Sequence, residues 1–134
     1  MSSESGAPSR IALVAGHADF AAGLVSAVEA ITGHGDRLVP IQVRGLCGDD
    51  IQALLRQKLS ESGARVIFTD LQAGSCTMAA RRVLHDVPGS LLVAGANLPM
   101  LLDFVLSPIA DPVAAATTAA ERGRAAVTVH GGKS

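Results

Sequence analysis

Short continuous apolar runs alternate along the chain with longer stretches in which apolar residues recur every three or four positions. Ile11-Ala12-Leu13-Val14-Ala15 is unbroken and ends at Gly16, the pattern of a strand buried on both faces. Leu24, Val28 and Ile31 then recur at helical spacing, and Gly33 stops that helix. Leu38-Val39-Pro40-Ile41 reads as a second strand, placed at a sheet edge by Pro40. Asp49 is the expected N-cap of a helix whose stripe is Ile51, Leu54, Leu55 and Leu59, ended by Gly63. Val66-Ile67-Phe68-Thr69 is the third strand, closed by Asp70. A helix from Ser75 to Asp86 follows, before Pro88-Gly89. Leu91-Leu92-Val93-Ala94 is the fourth strand. Asn97 caps a helix with Pro99 in its first turn, ending near Ser107-Pro108. Asp111-Pro112 opens an Ala-rich last helix that runs to Arg124, and Val127-Thr128-Val129 reads as a closing strand.

Strands alternating with helices predict an α/β three-layer sandwich, with a mainly parallel sheet covered by helices on both faces. Right-handed crossovers give the strand order 2-1-3-4. The closing strand falls at an edge, where it can run antiparallel or pair with a second copy. Residues 1–9, rich in Ser, Gly and Pro, read as a disordered arm, residues 10–130 as a single domain and residues 131–134 as a tail.

Composition narrows the function classes. Eleven basic against twelve acidic residues give a net charge of −1, too little field to attract nucleic acid or an anionic membrane. Aromatics make up 2% of the chain, three Phe with no Tyr or Trp, which excludes stacking platforms for bases or sugars. Cys47 and Cys76 are too few for a disulfide scaffold and lack metal-ligand spacing, so they read as two buried or half-buried free thiols. The Ser-rich start is not a secretory signal. No apolar stretch reaches membrane-spanning length, and residues 90–106 are broken by Asn97, Pro99 and Asp103. The expected location is the cytoplasm.

In an open parallel sheet, ligands sit beyond the carboxyl ends of the strands where strand order reverses. Here that point lies between strands one and three, at Gly16-His17-Ala18-Asp19 and Asp70-Leu71-Gln72-Ala73-Gly74-Ser75. An imidazole straight after a buried strand, such as His17, projects into the crevice and can serve as acid, base, ligand or nucleophile. A carboxylate at Asp70 can accept the Nδ1 proton of a neighbouring imidazole and leave Nε2 as the nucleophile. Gly74-Ser75 opens a helix, whose N-terminal N–H groups and dipole favour an anion. The Ser75 hydroxyl can bond a phosphoryl oxygen or serve simply as that helix's N-cap. His34 in a turn, His85 late in a helix and His130 in the tail carry no such context. Phosphate-loop and dinucleotide glycine motifs are absent from the sequence. His17 and Asp19 have no second His or Cys at metal-ligand spacing, so no metal is expected.

At these residues the sequence resembles the IIA component of the mannose-type sugar phosphotransferase system. The resemblance rests on IALVAGHADFAAGLVSAVEAITG at 11–33, VIFTDLQAGS at 66–75 and VAGANLPMLLD at 93–103, and covers about residues 10–127. It implies that His17 accepts a phosphoryl group from the phosphocarrier protein HPr and passes it to a histidine of a separate IIB component. By the same match Asp70 orients His17, Ser75 binds the phosphoryl group, no metal or cofactor is used, and the protein is a homodimer with an exchanged terminal strand. The chain departs from the family at Ala18, where Gly is frequent, and at Asp19, an anion two residues from the phosphoacceptor. It departs again at Ala73-Gly74-Ser75-Cys76, where the family usually reads Gly-Gly-Ser-Pro. Asn97-Leu98-Pro99-Met100 reads either as a border of the crevice or as a capped, buried helix start. Other readings of the same residues are a regulatory phosphoprotein without transport, a non-catalytic anion-binding module, and a response-regulator-like domain phosphorylated on Asp70. The last lacks the acidic pair after strand one and the Lys after strand five.

Overall fold

The computed structural model describes residues 11–133; the expected arm at 1–9 lies outside the described residues. Four strands, β1 (Ala12–Ala15), β2 (Leu38–Ile41), β3 (Val66–Thr69) and β4 (Leu91–Ala94), form one parallel sheet in the order β2-β1-β3-β4. This is the predicted 2-1-3-4 arrangement. Every residue of β1 and β3 is buried, as central strands covered on both faces must be. Among the described residues β2 pairs only with β1, and its exposed Pro40 sits on the edge where a missing N–H costs no ladder bond.

Alternation along the strands divides the core in two. Ala12, Val14, Val66 and Phe68 face α1 (Phe20–Thr32), α4 (Leu98–Leu106) and α5 (Pro112–Ala125). There the Phe104 ring packs edge-on against Phe68, centroids 5.3 Å apart. Leu13, Ala15 and Ile67 face α2 (Gly48–Ser62) and α3 (Ser75–Asp86), meeting Ile51, Leu55, Leu59, Ala80 and Val83. Phe68 and Phe104 are the buried aromatics among the described residues, and the buried residues of α5 are all small (Ala115, Ala116, Ala119, Gly123), which brings the helix close. No helix among the described residues is long and apolar enough to cross a membrane.

Helix ends follow local chemistry with two shifts from expectation. Asn97 caps α4 by accepting the Met100 N–H at 3.0 Å, and Asp111 caps α5 by accepting the Ala114 N–H at 2.8 Å. Cys47, not Asp49, is the N-cap of α2, which places Asp49 and Asp50 in the first turn at the positive end of the dipole. Gly74, not Ser75, is the N-cap of α3. Ile31, in the last turn of α1, is 60% exposed rather than part of the stripe.

The closing strand does not form within the chain. After α5 residues 127–130 have no strand assignment, and Val127 and Val129 are 70% and 93% exposed. β4 is thus the sheet's other edge, and a groove of about 390 Å³ runs between β4 and Thr117, Ala120, Glu121 and Arg124 of α5.

Candidate functional site

Register brings the carboxyl ends of the strands level: Ala15 lies opposite Ile41 on one side and Thr69 on the other, and Thr69 opposite Ala94. Loops leaving β1 and β3 therefore emerge side by side at the switch point. His17 and Asp70, 53 residues apart in sequence, meet there. The Asp70 Oδ2 accepts two hydrogen bonds from one residue, the His17 backbone N–H at 2.8 Å and the ring Nδ1–H at 2.7 Å. The first bond fixes where the loop leaves the strand. The second fixes the tautomer, with the proton on Nδ1 and the lone pair on Nε2. The imidazole is 58% exposed while the carboxylate is 9% exposed, so a buried anion orients an accessible ring. Its other oxygen, Oδ1, is buried with no hydrogen-bond partner among the described residues.

Two glycines make the approach possible. A Cβ at Gly16 would lie 2.6 Å from Phe20 Cδ2 and 2.8 Å from Asp70 Cγ, so any side chain there displaces the carboxylate or the Phe20 ring. A Cβ at Gly74 would lie 3.1 Å from His17 Cε1, the carbon between the two ring nitrogens. The start of α3 therefore sits against the edge of the imidazole. The first intrahelical bond of α3 runs from Met78 N to the Gly74 carbonyl at 3.0 Å, so the N–H groups of Ser75, Cys76 and Thr77 precede the helical ladder. Ser75 is the exposed first residue of the helix.

Burial works against ionisation of Asp70. The His17 backbone N–H, the ring N–H and the ring's charge together outweigh it and hold the carboxyl below its ordinary value. Burial, with the negative Asp70 nearby, pushes the Cys76 thiol up. Cys76 is thereby a neutral core residue, 1% exposed beneath the helix start. Thr77 was not singled out in the sequence, yet it anchors the loop. Its hydroxyl donates to the Leu71 carbonyl and lies 2.6 Å from the buried Thr69 hydroxyl. That ties both ends of the 70–75 loop to the sheet. No local signal marks such a residue, because its partners lie six and eight positions away.

The departures from the family pattern have distinct outcomes. Ala18 occupies the left-handed region at φ 46°, where Gly is the unstrained choice. Ala73 is not at positive φ, so its methyl group carries no such strain. Asp19 points to Arg44, whose Nη2 lies 3.0 Å from Oδ1. Asn97 is a structural cap: besides accepting from Met100 it donates from Nδ2 to the Gly123 carbonyl at 3.0 Å, tying α4 to α5. His34 is half-buried, its backbone N–H bonded to the Thr32 hydroxyl, while His85 and His130 are exposed. The structure brings none of these three to His17. No group of three or more His, Cys, Asp or Glu among the described residues is gathered as a metal site.

The model of the family described as PTS system fructose IIA component matches residues 12–120, a span that contains His17, Asp70 and Ser75. No curated protein matches the chain. Among solved structures, the mannose/sorbose specific IIA subunit of the phosphotransferase system from Enterococcus faecalis is similar, with a TM-score of 0.75 at 23% identity, over 92% of this chain and 96% of its own. The phosphotransferase system component EIIA from Streptococcus agalactiae aligns with a TM-score of 0.69 at 24% identity, over 84% of this chain and 93% of its own. The PTS IIA protein associated with the fucose utilization operon from Streptococcus pneumoniae aligns with a TM-score of 0.76 at 20% identity, over 90% and 92%. At these identities the structures attest the fold, while the sequence match attests the family. The chain belongs to the fructose/mannose IIA components of the sugar phosphotransferase system.

Proposed function

We propose that the protein is a histidine phosphocarrier in sugar uptake, accepting a phosphoryl group from phospho-HPr on His17 and passing it to a histidine of a IIB component. The observation that carries this reading is the single Asp70 oxygen bonded to both the His17 N–H and Nδ1, with Gly74 and the start of α3 against Cε1. The Nε2 lone pair attacks phosphorus in line, and the bond from phosphorus to the donor's imidazole nitrogen breaks, that nitrogen leaving with the electron pair. The His17 ring gains the positive charge that the donor ring loses, so no net proton moves. The ionised Asp70 steadies that charge through the Nδ1–H. Ser75 and the adjoining N–H groups receive the phosphoryl oxygens, so catalysis is positioning and electrostatics.

The site works at the cytoplasmic side of uptake, and the working unit is a homodimer. The exposed Val127 and Val129 and the unpaired edge of β4 with its groove support an exchanged C-terminal strand. The test is incubation with enzyme I, HPr and labelled phosphoenolpyruvate beside His17→Ala. Wild type acquires an acid-labile, base-stable label and the variant acquires none. Equal labelling of the variant removes His17 from this role.

A further inference from the structure

A phosphoryl group on His17 brings about two negative charges, offset in part by the cationic ring, beside Asp70 and two residues before Asp19. A bare carboxylate at Asp19 would oppose that charge. Asp19 is the N-cap of α1, yet its side chain makes no cap bond, the usual task of an N-cap Asp. It is committed instead to Arg44, with Nη2 to Oδ1 at 3.0 Å.

Topology places Arg44 there. β1 and β2 are adjacent and parallel with Ala15 opposite Ile41, so the loops leaving them start about 5 Å apart. The β2–α2 loop then turns over Val43–Leu46, closed by a bond from Leu46 N to the Val43 carbonyl at 3.0 Å. Gly45 at φ 82° supplies the left-handed position. This turn holds Arg44 at its second position, beside the His17 loop. Both side chains are well exposed, 61% and 86%, and a pair of that kind adds little to stability. Its consequence lies in the electrostatics of the crevice mouth.

We propose that Arg44 is a positioning residue for phosphoryl transfer, acting through Asp19: it cancels the one exposed carboxylate of the His17 loop, so that the arriving phosphoryl group meets no net repulsion from that side. The inference rests on the phosphocarrier reading above. The charged groups around the phosphoryl position are then Asp70 from β3, Asp19 from the His17 loop and Arg44 from the β2–α2 loop. Asp49 and Asp50 occupy the first turn of α2, and burial pushes the Cys76 thiol up.

The experiment measures the second-order rate of phosphorylation by phospho-HPr for wild type, Arg44→Gln and the double variant Arg44→Gln/Asp19→Asn. It also follows the second ionisation of the phosphoryl group by ³¹P NMR titration. Arg44→Gln slows transfer about three- to tenfold at low salt, and the deficit shrinks as ionic strength rises. The phosphoryl pKa rises in Arg44→Gln, since an uncancelled anion favours the protonated form. The double variant returns both rate and pKa to wild-type values. An unchanged rate in Arg44→Gln overturns the inference. So does a double variant as slow as Arg44→Gln, which would mean that Arg44 contacts the phosphoryl group or the partner directly. Both of those outcomes presuppose label on wild-type His17. Absence of that label removes the phosphocarrier reading and this inference together, and is read before any Arg44 variant is made.

Discussion

The two ends of the sheet's second half differ in completeness. At the carboxyl end of β3, the His17–Asp70 contact and the glycines packed around it come from one chain. Asp70 is buried and doubly bonded, Gly16 and Gly74 are packed to the limit, and Thr77 ties the loop down. Along β4 the structure is open: among the described residues the strand has one neighbour, a groove flanks it, and the valines that would suit a strand stand in solvent. The His17–Asp70 pair is formed within the single chain, while the outer edge of β4 is left unpaired among the described residues. The two regions should respond separately to mutation.

The largest effects belong to the crevice. Asp70→Ala should keep the fold but slow phosphoryl acceptance by about a hundredfold or more, by analogy with removing the carboxylate that orients a catalytic histidine; an unchanged rate would remove its orienting role. Gly16→Ala should cost about 1–3 kcal/mol in unfolding free energy through overpacking. It should also slow transfer, because the carboxylate must move away from Nδ1; urea unfolding and the label assay check the two parts. At the edge, Val127→Asp with Val129→Asp should convert a dimer to a monomer in sedimentation equilibrium while leaving His17 open to label. Loss of label in that variant would break the contrast between a self-contained site and an unfinished edge.

A pH experiment sharpens the crevice side. The carboxyl of Asp70 is held below its ordinary value of 3.8 in the folded chain. The stabilisation it contributes is therefore complete above that pH and lost as pH falls through the lowered value. Wild type should exceed Asp70→Asn in stability at neutral pH, and the gap should close under acid. A gap that persists at low pH would mean that the bonds to His17 do not depend on the charge. The smallest effect is expected at Ala18→Gly. Relief of the left-handed φ is offset by the added freedom of the unfolded chain, leaving a change within about 1 kcal/mol.

Much of this was legible in the sequence because the signals are local. Continuous apolar runs at 12–15 and 66–69 mark central strands, Pro40 marks an edge, and Asn97 and Asp111 announce helix starts. The switch-point rule then set His17 opposite Asp70 before any side-chain contact was known. What escaped depends on partners distant in sequence. Cys47 and Gly74 take the cap positions expected of Asp49 and Ser75, because the chain's path out of the preceding loop decides where helical geometry begins. Arg44 sits in a loop with no motif and matters only because β2 lies beside β1. The segment 127–129 reads as a strand by residue type, but a strand exists only against an edge, and its own chain does not bring it to one.

The proposed transfer turns on one atom, Nε2 of His17, which the Asp70 bond to Nδ1–H leaves free. Nitrogen-15 labelling of the imidazole with ³¹P–¹⁵N correlation in the phosphorylated protein reads that atom directly. The expected result is phosphorus coupled to Nε2, with the Nδ1 proton retained. Coupling to Nδ1, or phosphorus on any other residue, would contradict it.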